Sequence, residues 1–196
     1  MEQKEVRALL EQVSSGELDI DEAMLKLKEA PFEDLGFAKP DYHRALRQGI
    51  GEVIYGAGKT PEQIHDIVAS MVQQGQKSIL ITRMSSEAAE TVEQDFIIKY
   101  DKYSRIGLVG EIPEPDGIGK VVVAAAGTSD LPVAEEAAQT AECFGNEVIR
   151  LYDVGVAGLH RLLAHREEIM TARVIVAVAG MEGALASVIG GLADCP

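Results

Sequence analysis

Three short stretches carry residue types that act on small anionic molecules. GTSD, residues 127–130, sets a glycine turn before two hydroxyls and a carboxylate. It follows an apolar run and opens a helix pattern, so its backbone N–H groups and the hydroxyls of Thr128 and Ser129 would cradle a phosphate or carboxylate. The same residues would also serve as plain helix caps. GMEG, residues 180–183, places Glu182 in a glycine-rich turn after the most apolar strand pattern. A carboxylate among apolar neighbours has a raised pKa and works as an acid or a base. A solvated loop Glu is the plain alternative; Gly180 and Gly183 on either side favour close approach of another group. GAGKT, residues 56–60, looks like a phosphate-binding loop, but G-x-x-x-x-G-K-T needs a glycine where Val53 stands. NTP hydrolysis is therefore not expected. The turn would still offer amides and Lys59 to a phosphate, or be only a turn and a cap.

The remaining reactive side chains have weaker claims. His160 and His165 are five residues apart, a spacing that puts them on different helix faces and disfavours a shared metal. His160 near its helix start is within reach of the strand ends, and His165 reads as surface. His43 and His65 have no ligand spacing. Cys143 lies on the apolar side of a helix pattern. Cys195 follows Asp194, whose charge opposes thiolate formation, so a structural thiol is expected.

The elements that would position these residues follow from periodicity. Val6, Leu9, Leu10 and Val13 predict a first helix stopped at Gly16, and a second runs from near Asp19 to before Pro31, with Glu22 placed for a capping box. After an aperiodic stretch, EVIYGAGKTPEQIHDIVASMVQQG reads as strand, turn and helix, with Thr60 as N-cap, Pro61 as first helical residue and Gln63 closing the box. KSILIT is a strand, SSEAAETVEQ a serine-capped helix and RIGLV a short strand. Residues 110–120, GEIPEPDGIGK, read as a linker. Beyond it, VVVAAA, EVIRLYD and RVIVAVAG alternate with the helix patterns LPVAEEAAQTAECFG, VAGLHRLLAHREEIMTA and GALASVIGGLA. Fully apolar strands alternating with helices predict an α/β fold with a parallel sheet covered on both faces. Ligands of such sheets sit beyond the carboxyl ends of the strands. The site should therefore draw on Gly127–Asp130, Asp153–Gly158 and Gly180–Gly183. The division expected is an N-terminal α/β unit with a helical hairpin over 1–110, a linker over 111–119 and a second unit over 120–196.

The chain has a net charge of −14, which argues against nucleic acid and anionic membranes as partners. Two cysteines in 196 residues give no disulfide framework and point to a reducing, cytoplasmic compartment. The amphipathic start MEQKEVRALLEQ is not a signal peptide. Residues 174–193 mimic a membrane span, but Glu182 and the glycines break them into strand, loop and helix.

In combination, AAGTSDLPVAEEAA, DVGVAGLHRL and VAGMEGALASVIGGL, with FAKPDYHRALRQGIGEVIYGAGKTPEQI upstream, resemble the LarB family from about residue 32 onward. That family makes the first intermediate of the nickel-pincer nucleotide cofactor of lactate racemase. The C-terminal half is similar to the aminoimidazole ribonucleotide carboxylase/mutase, whose Gly-Ser-x-Ser-Asp loop GTSD matches. The resemblance implies a three-layer flavodoxin-like sheet and a homo-oligomer, an octamer or dimers of one. It also implies addition of CO2 to carbon 5 of the pyridinium ring of nicotinic acid adenine dinucleotide. Cleavage of the phosphoanhydride then gives AMP and pyridinium-3,5-biscarboxylate mononucleotide. In the family a cysteine thiolate adds to the ring to make it nucleophilic, and a base later removes the ring proton.

Carried onto this chain, the resemblance makes Glu182 the acid/base and puts Asp130 with it in the catalytic group. Gly127, Thr128, Ser129, Asp153, Gly155, His160, Gly180, Met181 and Gly183 would line the substrate pocket. Arg44, Arg47 and Lys59 would contact phosphate or carboxylate groups. No metal ligands are assigned, a role for Mg2+ in the anhydride cleavage stays open, and no tightly bound organic cofactor is implied. The family continues past Cys-Pro with a further strand and a later cysteine that is taken as the nucleophile. Continuation of this chain is therefore expected, with Cys195 structural. Two alternatives stay open. Purine carboxylase/mutase chemistry lacks its loop histidine here, since Asp-Val-Gly-Val-Ala-Gly stands in place of Ser-Ala-His-Arg. A non-catalytic nucleotide-binding domain is the other.

Overall fold

Alternation along the apolar runs assigns each strand two buried faces, and helices fill both. The computed structural model describes residues 3–28 and 32–196. In the C-terminal half, β5 (Lys120–Ala125) lies between β6 (Glu147–Leu151) and β7 (Val174–Val178), all parallel, in the order β6-β5-β7. Val122 and Ala124 point to one side, where they pack with Leu162, Ile169, Leu185 and Ile189. Val123 and Ala125 point to the other, against Ala134 and Ala138 of α6 (Leu131–Cys143). The expected three-layer α/β arrangement is therefore present. Near the C-terminus the N–H of Ile175 in β7 donates to the Pro196 carbonyl at 2.9 Å.

The first half opens with the helical hairpin α1 (Gln3–Ser15) and α2 (Ile20–Lys28), turned at Gly16 with φ 79°. At the start of α2, Asp19 accepts the Asp21 N–H at 3.0 Å. Pro31, expected just beyond this helix, lies outside the described residues. After α3 (Arg44–Gln48), a mixed sheet forms in the order β1-β2-β4-β3 from β1 (Ile54–Tyr55), β2 (Ser78–Thr82), β3 (Ile98–Asp101) and β4 (Ile106–Gly110). β1 is parallel to β2, and β4 is antiparallel to both β2 and β3. α4 (Pro61–Gln73) has the full capping box predicted for Thr60 and Gln63, and α5 (Ser86–Glu93) is capped by the Ser85 hydroxyl. Ile64, Ile67, Val68 and Met71 of α4 and Ala88, Ala89 and Val92 of α5 cover Ile79, Ile81 and Val109.

Leu80 and Leu108 alternate to the opposite face and are also buried. On that face α6 lies against β2, so one helix serves both sheets. Polar bonds fix the contact: Arg83 to Glu136 at 2.7 Å and Gln139 to Asp101 at 2.7 Å. On the same stripe of α6 as Gln139, Glu135 and Glu142 are bonded by Arg150 of β6.

Two expectations need correction. Residues 98–101, unassigned in the sequence, form β3: the strand is short, and only Ile98 and Tyr100 supply its apolar side. The helix expected across 156–172 is broken. A 3-10 turn over Val156–Gly158 leads into α7 (Leu159–Leu163), and α8 (Arg166–Thr171) starts anew. The break lies at His165, whose N–H reaches back only to the Leu162 carbonyl. It lets Leu162 and Ile169 enter the same core. α9 (Ala184–Gly190) closes the fold, and among the described residues no helix is long and apolar enough to cross a membrane.

Candidate functional site

The carboxyl ends of β5, β6 and β7 meet because their loops bond to one another. The Ala126 N–H donates to the Val178 carbonyl, and the Val154 N–H to the Ala125 carbonyl, both at 3.0 Å. Gly155 then runs so close to Ala126 that a Cβ there would lie 2.7 Å from the Ala126 oxygen. Glycine is required by this backbone approach and not by its torsions.

Asp130 is the centre of this arrangement. GTSD folds as a 3-10 turn, Thr128–Asp130, that leads into α6. One carboxylate oxygen of Asp130 accepts the Gly127 N–H at 3.1 Å within its own loop. The other accepts the Gly180 N–H at 3.0 Å from the loop after β7. A Cβ on Gly180 would come 2.8 Å from that oxygen. Both oxygens are thus committed to backbone donors, an arrangement suited to fixing the spacing of two loops. Asp130, placed in the catalytic group by resemblance, is thus in contact with the backbone of both loops.

Around this tie the side chains expected to meet substrate point outward. Thr128 and Ser129 are exposed beside it. Glu182 is exposed as well, and it makes no hydrogen bond or ion pair with the described residues; the apolar surroundings foreseen for it are absent. Met181 is 94% exposed at the same tip, and Gly183 turns the chain into α9 with φ 72°. In the third loop Asp153 adopts a left-handed backbone, φ 57°, and pairs with Arg161 at 2.5 Å. His160 is exposed one residue earlier. Arg161 escaped sequence reasoning. It lies over Gly158, where a Cβ would meet its Nε at 2.7 Å, and it brings a cation to loops of an acidic chain.

The N-terminal candidates separate. Lys59 lies at the carboxyl end of β1 and donates to the Tyr55 carbonyl at 2.8 Å. Arg44 belongs to the other end. Tyr42, two residues before it, bonds Ser70 near the end of α4. Residues 60 to 70 of that helix put about 15 Å between the two ends. The Arg44 Nε is buried without a hydrogen-bond partner. The Arg47 side chain lies outside the described residues.

Two cavities lie elsewhere. One of about 750 Å3 opens at the amino end of β2, with Tyr42, Glu52, Gln76 and Glu111 in its wall. Another of about 410 Å3 lies under the C-terminal half of α6, between Leu108, Gln139 and Arg150. Neither includes a residue of the three loops. Volume favours these cavities, but the loops hold the hydroxyls, amides and acid that act on an anion.

Neither thiol reaches the loops. Cys143 ends α6, where burial, with Glu142 beside it, pushes its pKa up to about 11. Cys195 is half-buried next to Pro196, which bonds near the amino end of β7. No three His, Cys, Asp or Glu side chains gather as metal ligands among the described residues.

Residues 32–111 match the model of a LarB/PurE-like N-terminal domain. Over 202 aligned positions the chain is 36% identical to an uncharacterized protein of Methanocaldococcus jannaschii, an alignment covering 98% of this chain and 79% of that protein.

Proposed function

Since this chain belongs to the LarB family, whose carboxylase-type chemistry is related to that of the PurE-like enzymes, we propose that it carboxylates the pyridinium ring of nicotinic acid adenine dinucleotide and hydrolyses the phosphoanhydride. The observation that carries this reading is the Asp130 tie between the Gly127 and Gly180 loops. It joins the loop that carries Thr128 and Ser129 to the loop that carries Glu182, beyond the carboxyl ends of a parallel sheet.

A pyridinium ring is electron-poor and cannot attack CO2. Addition of a thiolate gives a dihydropyridine whose carbon 5 is nucleophilic. That carbon bonds CO2, a base takes its proton, and departure of the thiolate restores the aromatic ring. The balance is one C–H replaced by C–CO2−, with one proton released. Separately, water adds to phosphorus and AMP leaves. In this reading Glu182 takes the ring proton and passes it to solvent, which its exposure favours. Thr128 and Ser129 hold carboxylate or phosphate oxygens, and Asp153 and His160 border the nucleotide. Asp130 keeps the two loops in register. The attacking thiolate is assigned to neither Cys143 nor Cys195, because neither reaches the loops.

The test is uptake of labelled CO2 with nicotinic acid adenine dinucleotide and an added small thiol, which supplies the thiolate that neither cysteine provides, with release of AMP measured in parallel. Uptake that survives in Cys143→Ser and Cys195→Ser but collapses in Glu182→Gln supports the reading. Uptake absent at saturating dinucleotide overturns it.

A further inference from the structure

Among the described residues, three that are not glycine adopt a left-handed backbone: Asp153 at the loops above, Arg83 with φ 53° and Arg105 with φ 60°. Such backbone is costly for a residue with a side chain, and it persists where the surroundings impose it. Arg83 and Arg105 meet at the carboxyl end of the β1–β2 pair. There the Gly56 N–H donates to the Thr82 carbonyl at 2.7 Å. A side chain at position 56 would lie 2.9 Å from that oxygen and 3.3 Å from the Arg83 oxygen.

Three cations surround this end. Lys59 rests on the Tyr55 carbonyl, one residue before Gly56. Arg105 reaches from the start of β4 to the Arg83 carbonyl at 3.1 Å and the Met84 carbonyl at 3.2 Å. Arg83 is paired with Glu136. Lys59 and Arg105 have no carboxylate partner among the described residues, although the chain carries a net charge of −14. Glu62, three residues after Lys59, has its pKa lowered by hydrogen bonds from its own N–H and from Thr60. The first amides of α4 and α5 are capped by Thr60 and Ser85, so the side-chain cations, and not the helix starts, are the groups left to attract an anion.

This end lies on the same side of the molecule as the Asp130 loops. Glu136, the partner of Arg83, is six residues beyond Asp130, about 9 Å along α6. We propose that Lys59 and Arg105 form a second anion subsite that holds the diphosphate of the dinucleotide whose pyridine ring lies at the Asp130 loops. The inference rests on the dinucleotide reading and adds to it that both sheets bind one substrate.

Titration calorimetry with inorganic pyrophosphate and with nicotinic acid adenine dinucleotide tests it on the unaltered protein, on Lys59→Ala/Arg105→Ala and on Lys59→Arg/Arg105→Lys. The alanine pair weakens both ligands by roughly tenfold per cation, about 100-fold together, and the charge-conserving pair retains most of the affinity. Circular dichroism checks that each variant is folded. Dinucleotide binding unchanged in the alanine pair overturns the subsite and leaves the catalytic reading standing. Pyrophosphate binding that depends on the two cations, without dinucleotide binding, upholds an anion site and overturns the dinucleotide as its ligand. No pyrophosphate binding by the unaltered protein overturns the subsite itself.

Discussion

Replacing Gly180 by alanine changes the sign of its effect on stability with the residue at position 130. The backbone of Gly180 is not left-handed, and the only atoms near the direction a Cβ would take belong to Asp130, with the oxygen at 2.8 Å. The new methyl displaces that carboxylate and breaks the 3.0 Å bond from the Gly180 N–H. A hydrogen bond to a charged group contributes about 1.5–3 kcal/mol, and the low end applies to a tie this accessible to water. Against it stands a gain of about 0.4–1 kcal/mol from the narrower unfolded ensemble of alanine. The net loss is about 1 kcal/mol, or about 2–4 °C in Tm for a chain of this size. In an Asp130→Ala background no carboxylate remains to displace. The same Gly180→Ala substitution then stabilises, by about 1–4 °C. Differential scanning calorimetry on the four proteins of this double-mutant cycle measures both effects. An equal fall in Tm in both backgrounds refutes the claim that Asp130 holds the two loops together.

Other outcomes follow from the same contacts. Gly155→Ala presses a methyl against the Ala126 carbonyl at 2.7 Å with no flexible side chain to yield, so it costs about 1–3 kcal/mol, measurable by urea unfolding. His65 sits between Asp95 at 2.9 Å and Asp66 at 3.3 Å; burial opposes its protonation, but the two carboxylates outweigh burial and raise its pKa. A raised folded pKa stabilises fully below the unfolded value of about 6.5, and the gain is lost as pH rises through the folded value. The stability difference between the unaltered protein and Asp95→Asn is accordingly largest just below about pH 6.5, stays below about 1 kcal/mol, and fades as pH rises through the folded value; a constant difference contradicts the pairing. Cys143, with its pKa near 11, reacts with iodoacetamide at pH 7.5 far more slowly than the same thiol in urea, as mass spectrometry of the labelled peptide would record.

The features legible in the sequence were those set by neighbours along the chain. Thr60, Pro61 and Gln63 announce the start of α4 because a capping box closes within one turn. The apolar runs at 121–125 and 174–178 announce buried parallel strands because each strand there needs both faces covered. From these the three loops follow, and the structure does join them. What remained hidden depends on distant partners. Nothing near Asp130 signals that Gly180, fifty residues on, would donate to it. The short β3 exists because β4 pairs with it, and its own four residues are weakly patterned. Arg83 and Arg105 look like ordinary surface cations until the strand ends bring their backbones together. The break at His165 reflects what Leu162 and Ile169 must both reach, which helical periodicity alone does not reveal.

The placement of α6 between the two sheets has a consequence for how the chain comes apart. A helix that completes two cores leaves neither with an independent melting point, because releasing it strips the cover from Leu80 and Leu108 on one side and from Val123 and Ala125 on the other. Slow amide protons of β2 and β5 should therefore exchange with one common opening free energy. Residues 111–119 carry no regular structure and are the natural place for a protease to cut. A single nick there would sever the covalent link and leave two pieces that copurify, held by Arg83–Glu136, Asp101–Gln139 and the buried face of one shared helix.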